Sequence, residues 1–177
     1  MSSRSGGLFV GRLEAESGIA TLAEALELFP GARIQVIGTG PEEGRIAGNP
    51  NVHILGRVGP AEVQERMARA AYLVLPAISA FNPHGVPRPV VEAFANSLPV
   101  IASRLGPLAE MIEPGRNGLL FEPGSARDLA RRLAWAEAFP EKMRQMGECA
   151  KADYQARFLA DWSYQKLFGE RRRLARL

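Results

Sequence analysis

The feature that most constrains this chain is a regular alternation of short apolar runs with longer segments of helical spacing, which persists to about residue 135. Short, mostly apolar runs are typical of strands that are buried on both faces of a parallel sheet. The segments between them are long enough for the crossover helices that connect parallel strands. We predict strands at residues 8–10, 34–37, 52–55, 72–75, 100–102 and 118–121.

This pattern predicts one Rossmann-like α/β domain, in which a six-stranded parallel sheet lies between two layers of helices. The core is expected at about residues 8–138. Beyond Pro140 the strand pattern stops, and we expect helices at about residues 140–175. A length of 177 residues with 46% apolar residues suits a single domain with a sizeable core.

Charge and cysteine content restrict the partners and the compartment. The net charge is +3, but four arginines stand in the last seven residues, so the body lacks the basic stripe of a nucleic-acid-binding protein. The arginine-rich end leaves a contact with a membrane surface or a partner open. A single cysteine, Cys149, excludes a disulfide within the chain, and the longest apolar runs are too short to span a bilayer. We expect a cytoplasmic protein, with the inner face of the membrane as its contact surface if the basic end binds lipid.

The carboxyl ends of the predicted strands collect glycines and polar side chains. Right-handed crossovers bring all these ends to one edge of a parallel sheet, and ligands of open α/β sheets bind along that edge. This carboxyl edge comprises residues 11–12, 38–40, 56–57, 79–88 and 103–106. The sequence therefore predicts a ligand site there.

Arg12 and the turn Gly38-Thr39-Gly40 are the first candidates for this site. Arg12 follows the first strand and could pair bidentately with a diphosphate, or it could be a surface arginine paired with Glu14 or Glu16. The glycine turn would let the backbone approach an anionic or sugar ligand. It lacks the spacing of a dinucleotide fingerprint or a P-loop, and a tight turn with positive φ also explains it.

The segment from His84 to Ala93 is the most informative part of the sequence. Gly85 and the prolines after it lead into a helix whose first backbone amides lack helical partners and face the crevice, where they could hold a phosphate or a hydroxyl without a metal. Glu92 could bridge two ribose hydroxyls, or it could only complement the helix dipole. His84 could be a general base or a hydrogen-bond donor, or it could be incidental. With His53 as the only other histidine, a histidine metal site is not expected.

These clusters, in this order, resemble the C-terminal half of the retaining nucleotide-sugar glycosyltransferases of family 4, which have the GT-B architecture of two facing Rossmann-like domains. The similarity runs from Leu8 to about Leu133. It rests on several separate motifs, which are Phe9-Val10-Gly11-Arg12-Leu13, Gly38-Thr39-Gly40-Pro41, Val52-His53-Ile54-Leu55-Gly56-Arg57-Val58, Val91-Glu92-Ala93 with Leu98-Pro99-Val100-Ile101-Ala102-Ser103, and Asn117-Gly118 within residues 115–124.

The resemblance implies a role for each matching residue. Arg12 would bind the diphosphate of a nucleotide sugar and stabilise it as the leaving group, and Glu92 would bind the ribose. The backbone after the third strand, at Arg57, would cradle the base. The other donor contacts implied by the resemblance fall on the glycine turn and on the loop before Glu92, at Gly38, Gly40, Gly85, Val86 and Arg88.

Two positions depart from the family pattern. The family usually has a glutamate near the donor sugar where this chain has His84, and a lysine after the diphosphate arginine where this chain has Ser17. His84 would then orient the sugar in place of the glutamate. Ser17 stands at a donor-binding position but brings no charge, so we expect the second cation for the leaving diphosphate to come from Arg88 or Arg104.

The resemblance implies transfer from a nucleoside diphosphate sugar with retention of configuration and with no required metal. The chain begins at the first strand of the donor domain, so we expect the N-terminal domain that binds an acceptor sugar or lipid to be absent, and these residues alone to be inactive. The alternative is a non-catalytic module that binds a nucleotide sugar or a partner protein. A dinucleotide oxidoreductase is disfavoured, because Gly11-Arg12-Leu13 replaces the three-glycine fingerprint.

Overall fold

The computed structural model describes residues 3–79 and 87–159. Within these ranges the strands form one sheet in the order β3-β2-β1-β4-β5-β6, and every pair is parallel. The predicted six-stranded parallel α/β fold is confirmed. The strands are β1 (Gly7–Val10), β2 (Ile34–Ile37), β3 (Val52–Gly56), β4 (Tyr72–Leu75), β5 (Val100–Ser103) and β6 (Gly118–Phe121).

The helices of the described residues begin where the sequence offers start signals. Pro60 and Pro140 open two of them, because proline loses no helical hydrogen bond at the first position. Ser125 caps a third by accepting a bond from the Asp128 amide at 3.2 Å. None of these helices combines the length and apolar content needed to cross a bilayer. They are α1 (Ile19–Leu28), α2 (Pro60–Arg69), α3 (Arg88–Ala95), α4 (Gly106–Met111), α5 (Ala126–Ala138) and α6 (Pro140–Tyr154).

The sheet separates two hydrophobic cores because side chains alternate between the two faces of each strand. On one face Phe9 and Val74 pack with buried residues of α1 and α5. On the other face Leu8 and Leu73 pack with buried residues of α2, α3 and α4. Helix α6 contributes to both cores, with Met143, Met146 and Ala150.

A buried phenol fixes the centre of the sheet to α5. The Tyr72 side chain is fully buried, and its hydroxyl donates to Glu137 Oε1 at 2.6 Å. Burial, and after it the hydrogen bond to the Glu137 carboxylate, raises the pKa of Tyr72 far above its usual value. Tyr72 therefore stays a hydrogen-bond donor that holds β4 against the last turn of α5.

A carboxylate near the end of α6 ties that helix to the residues before β6. Asp153 accepts a bidentate pair from Arg116 at 2.6 and 2.8 Å and a third bond from Asn117 Nδ2 at 2.9 Å. The hydrogen bonds from Arg116 are the main cause that lowers the pKa of Asp153. Asn117 Oδ1 also accepts from the Glu113 amide at 2.8 Å, so one buried amide joins the α4–β6 connection to α6. A short π-helical segment, Gln155–Leu159, follows.

Candidate functional site

The carboxyl ends of β1 and β4 form the centre of the carboxyl edge. From β1 the chain moves outward through β2 and β3, whereas from β4 it moves in the opposite direction through β5 and β6. The crossovers after β1 and β4 accordingly lie on opposite faces, with α1 in one core and α3 in the other. Such a reversal opens a crevice between the two strand ends, which is where open α/β sheets bind ligands.

Gly38 lets the loop after β2 pack directly on the loop after β1. Its φ is +140°, and a Cβ placed there would overlap the carbonyl oxygen of Gly11. The Leu13 amide donates to the Thr39 carbonyl at 3.1 Å, and Gly40 lies against the Leu13 backbone. The glycine turn therefore has the positive φ of the structural alternative, and its close contacts are with the protein's own backbone, which fixes the segment that bears Arg12.

Gly18 makes the corresponding contact between the start of α1 and the loop after β4. Its φ is +74°, and a Cβ there would overlap the carbonyl oxygen of Pro76. The Ile78 amide donates to the Glu16 carbonyl at 2.9 Å beside this contact. The segments that follow β1 and β4 are thus fastened to each other at the base of the crevice.

Arg12 is a solvent-exposed cation on the segment that follows β1. Its side chain is 83% exposed, and its Nη1 lies 3.4 Å from Glu14 Oε1, which is the surface pairing that the sequence left open. The buried Ser17 hydroxyl donates to the Arg12 carbonyl at 2.5 Å. Ser17 therefore uses its hydroxyl to hold the Arg12 backbone.

Helix α3 presents Glu92 in its second turn, so the alternative that this carboxylate complements the dipole at the amino end of the helix is wrong. The Glu92 side chain is 28% exposed, and its Oε1 lies 3.0 Å from Nε of Arg88, the first residue of the helix. Arg88 itself is 87% exposed. The carboxylate predicted to bind ribose is partly accessible and is paired with an arginine of its own helix.

The opposite end of α3 is held by two cations. Lys151 Nζ donates to the Ala95 carbonyl at 2.6 Å, and Arg4 Nη2 donates to the Asn96 carbonyl at 2.7 Å. Burial lowers the pKa of Arg4. Positive groups at this end complement the helix dipole, so they fix α3 in place while its amino end faces the crevice. The sequence analysis did not identify either contact.

Two other arginines of the carboxyl edge lie farther from the crevice along the sheet. Arg57 is exposed after β3, and the preceding Gly56 carbonyl accepts from the Gly38 amide at 2.8 Å. Arg104 follows β5, and its Nε lies 3.3 Å from Glu122 Oε1. Ser103, which the sequence analysis did not single out, donates to the Ala77 carbonyl at 2.6 Å and supports the loop after β4.

Part of the predicted site lies outside the described residues. His84, Gly85 and Val86 belong to this part, so their assigned contacts stay predictions, and the arginine-rich end at residues 171–177 is likewise not described. Among residues 3–79 and 87–159, no group of three or more His, Cys, Asp or Glu side chains could hold a metal ion.

A separate cavity lies before β6, away from the carboxyl edge. Its volume is about 320 Å³, and Asn117 and Arg157 contribute to its wall together with residues 109–114. Asn117 uses its amide in the contacts with Asp153 and Glu113 described above. The cavity therefore borders the structural connection between α6 and β6.

Comparison with known proteins identifies the family. The family model described as "Glycosyl transferases group 1" matches residues 7–153, which include all six strands together with Arg12 and Glu92. The chain belongs to the group 1 glycosyl transferases. It is 32% identical over 151 residues to an uncharacterized glycosyltransferase of Methanocaldococcus jannaschii, a match that covers 82% of this chain and 42% of that protein.

Solved glycosyltransferase structures share the fold of this group 1 domain. A sucrose-phosphate synthase of Thermosynechococcus elongatus has a TM-score of 0.76 and 25% identity, over 96% of this chain and 47% of that one. HepE of Anabaena, solved in complex with UDP, has a TM-score of 0.79 and 22% identity, over 95% of this chain and 49% of that one. The group 1 chain thus spans less than half the length of each of these three proteins.

Proposed function

We propose that this chain is the donor-binding domain of a retaining glycosyltransferase of family 4, and that it holds a nucleoside diphosphate sugar across the carboxyl edge. The observation that carries the proposal is the reversal of strand order between β1 and β4, with exposed Arg12 after β1 and partly exposed Glu92 on α3, the helix that follows β4. Membership of the group 1 glycosyl transferases supports it. HepE of Anabaena, which shares the fold, binds UDP.

In this proposal each side chain has a chemical task that suits its charge. Arg12 presents a planar guanidinium that can donate two parallel hydrogen bonds to the diphosphate. Glu92 accepts hydrogen bonds from the ribose hydroxyls. The backbone at Arg57 cradles the base, and the turn with Gly38 and Gly40 lets the backbone approach the anionic or sugar part of the donor. On the sequence alone, the Gly85 and Val86 amides bind phosphate or sugar hydroxyls, and His84 orients the sugar.

The proposed reaction moves a glycosyl group with retention and without a required metal. The bond from the anomeric carbon to the diphosphate oxygen breaks, and a bond to the acceptor oxygen forms on the same face of the sugar. The departing diphosphate oxygen takes the proton of the acceptor hydroxyl. Arg12 acts at this step, because a fixed cation stabilises the negative charge that develops on the leaving group.

We place the acceptor site outside these 177 residues. The chain covers 42% of its Methanocaldococcus jannaschii relative and 47% of the sucrose-phosphate synthase, so those proteins have room for another domain of similar size. A glycosyl transfer needs a cleft that excludes water and orients both reactants, and one crevice wall does not provide it. We therefore propose that a second domain binds an acceptor sugar or lipid, in the cytoplasm or at the inner face of the membrane.

One observation favours a second candidate, a binding module that performs no transfer. The Ser17 hydroxyl is occupied by the Arg12 carbonyl, so the position of the family lysine contributes no cation to a leaving diphosphate. Such a module would still bind the nucleotide sugar. A transfer assay with the complete protein separates the two candidates, since only the enzyme forms a product, and a product of retained anomeric configuration supports the family 4 mechanism.

Selectivity for ribose tests the proposed site directly. We expect the wild-type chain to bind UDP, GDP or ADP with micromolar affinity in calorimetric titrations. The ribose form should bind about 10-fold more tightly than the 2′-deoxy form, because the loss of a hydrogen bond to a charged acceptor costs roughly that factor. Glu92→Ala should weaken binding and remove the preference for ribose. Glu65→Ala removes another ion-paired helical carboxylate. This variant should keep the wild-type affinity and the preference for ribose.

Two outcomes would contradict the proposed site. One is the absence of binding by all three nucleoside diphosphates. The other is binding in which Glu92→Ala keeps the full preference for ribose over deoxyribose. Circular dichroism melting of each variant ensures that only folded protein is compared.

A further inference from the structure

The ion pair between Arg88 and Glu92 has an arrangement that does not serve helix stability. Arg88 is the first residue of α3, where the helix dipole disfavours a positive charge, and Glu92 follows it by one turn. The favourable order for an i, i+4 pair is the reverse, with the acid nearer the amino end. The stability of α3 therefore gives no reason for an arginine at this position.

This ion pair is also easy to break. The Arg88 side chain is 87% exposed, so water can replace its partner at little cost. The Glu92 side chain is less exposed, at 28%. A ligand that offers hydroxyl donors to Glu92 can thus displace Arg88 and leave its guanidinium free to turn.

Among residues 3–79 and 87–159, Arg88 is the candidate for a second cation beside Arg12 at the crevice between β1 and β4. Ser17, five residues after Arg12, is uncharged, and its hydroxyl donates to the Arg12 carbonyl. Arg104 follows β5, one strand beyond β4, and pairs with Glu122 at 3.3 Å. Arg88 is the first residue of α3, the helix that follows β4, and so stands at the carboxyl edge of the sheet.

We propose that Arg88 exchanges partners when the donor binds. In the free domain it neutralises Glu92, and in the bound domain the ribose hydroxyls take Glu92 while the Arg88 guanidinium turns to the diphosphate. Arg88 then acts with Arg12 as the second cation on the leaving group. This inference rests on the proposed function, because it requires a ribose and a diphosphate in the same crevice.

The exchange makes opposite predictions for a nucleoside and for its diphosphate. A nucleoside must break the Arg88–Glu92 ion pair and has no anionic group that could bind Arg88. A nucleoside diphosphate breaks the same pair but supplies a new anionic partner. Removal of the Arg88 charge should therefore favour the nucleoside slightly and weaken the diphosphate strongly.

The experiment compares Arg88→Gln with the wild-type chain by NMR shift titrations, using UDP and uridine, with GDP and guanosine and with ADP and adenosine in parallel. For the pair that binds, we expect Arg88→Gln to weaken the diphosphate about 10-fold and to tighten the nucleoside about 2-fold. Arg88→Lys keeps the charge and should stay within about 3-fold of wild type for the diphosphate. Arg69→Gln, an exposed ion-paired arginine at the end of α2, controls for net charge and should change neither affinity.

The possible results separate this inference from the proposed function. If the wild-type chain binds none of the nucleoside diphosphates, both are wrong. If it binds one of them but Arg88→Gln leaves that affinity unchanged, or weakens the nucleoside equally, the exchange is wrong and the donor site stands. If Arg104→Gln causes the 10-fold loss and Arg88→Gln does not, Arg104 supplies the second cation and the exchange is overturned.

Discussion

Gly38→Ala is expected to destabilise the domain by about 4 kcal/mol and to lower its melting temperature by roughly 8–16 °C. A methyl group at this position would overlap the Gly11 carbonyl oxygen, and the φ of +140° is strained for any residue with a side chain. Neither obstacle can be relieved by rotating a side chain, because the atom in the way belongs to the backbone. The loops after β1 and β2 must separate, and the loop that bears Arg12 must shift with them.

The control for this substitution is Gly44→Ala in the same connection between β2 and β3. A Cβ at Gly44 meets no atom within 4 Å, and the residue is not among those with positive φ. We expect its melting temperature to stay within about 2 °C of wild type, as for surface substitutions in general. Equal melting temperatures for Gly38→Ala and Gly44→Ala, measured by circular dichroism, would show that the close approach at Gly11 is not needed for stability.

Arg12→Ala is expected to weaken binding of a nucleoside diphosphate about 30-fold, because it removes a bidentate charge-assisted contact from the phosphates. Glu14 adds to the effect. It lies 3.4 Å from the Arg12 guanidinium and would be left as an unpaired negative charge beside an anionic ligand. The nucleoside alone carries no phosphate, so its affinity should change by less than about 2-fold.

Calorimetric titration of the chain with UDP, GDP or ADP measures this loss, and Arg69→Ala is the matched control. Arg69 is 74% exposed and ion-paired with Glu65, as Arg12 is exposed and paired with Glu14, but it ends α2 far from the crevice. Equal losses of affinity in the two variants would mean a general effect of net charge. The assignment of Arg12 to the diphosphate would then be wrong.

The strands and their arrangement were predictable because the constraint on them is local. Four-residue runs such as Tyr72–Leu75 and Gly118–Phe121 are almost fully apolar, and in the structure they are buried between two helical layers. A parallel sheet covered on both sides buries such short apolar runs, and the helical spacing between them favours this arrangement. The carboxyl edge followed from the direction of the strands, and the glycines there mark backbone contacts such as that between Gly38 and Gly11.

The contacts that fix α3 were not predictable, because they join residues that are distant in the sequence. Arg4 reaches the Asn96 carbonyl across 92 positions, and Lys151 reaches Ala95 across 56. Both side chains donate to backbone carbonyls. Every residue has such a carbonyl, so the acceptor leaves no signal in the sequence. Three-dimensional packing alone decides which of the many lysines and arginines ends near a helix terminus.

The pairings of the site residues themselves were only partly predictable. The sequence analysis weighed Glu14 and Glu16 as partners of Arg12, and the structure shows Glu14. It assigned Arg88 and Glu92 separate contacts with the donor, but their spacing of one helical turn also allows the ion pair that forms in the free domain. The bond from Ser17 to the Arg12 carbonyl depends on a 3-10 turn at Ala15–Ser17, which no sequence pattern indicates.

The location of bound nucleotide tests the central claim most directly. Backbone amide shifts of the ¹⁵N-labelled chain, recorded during titration with UDP, GDP and ADP, report where the ligand sits. We expect one of the three nucleotides to shift the amides of residues 11–13, 38–40, 56–57, 88 and 90–92, at the carboxyl edge. Largest shifts at residues 109–117, around the cavity before β6, would contradict it.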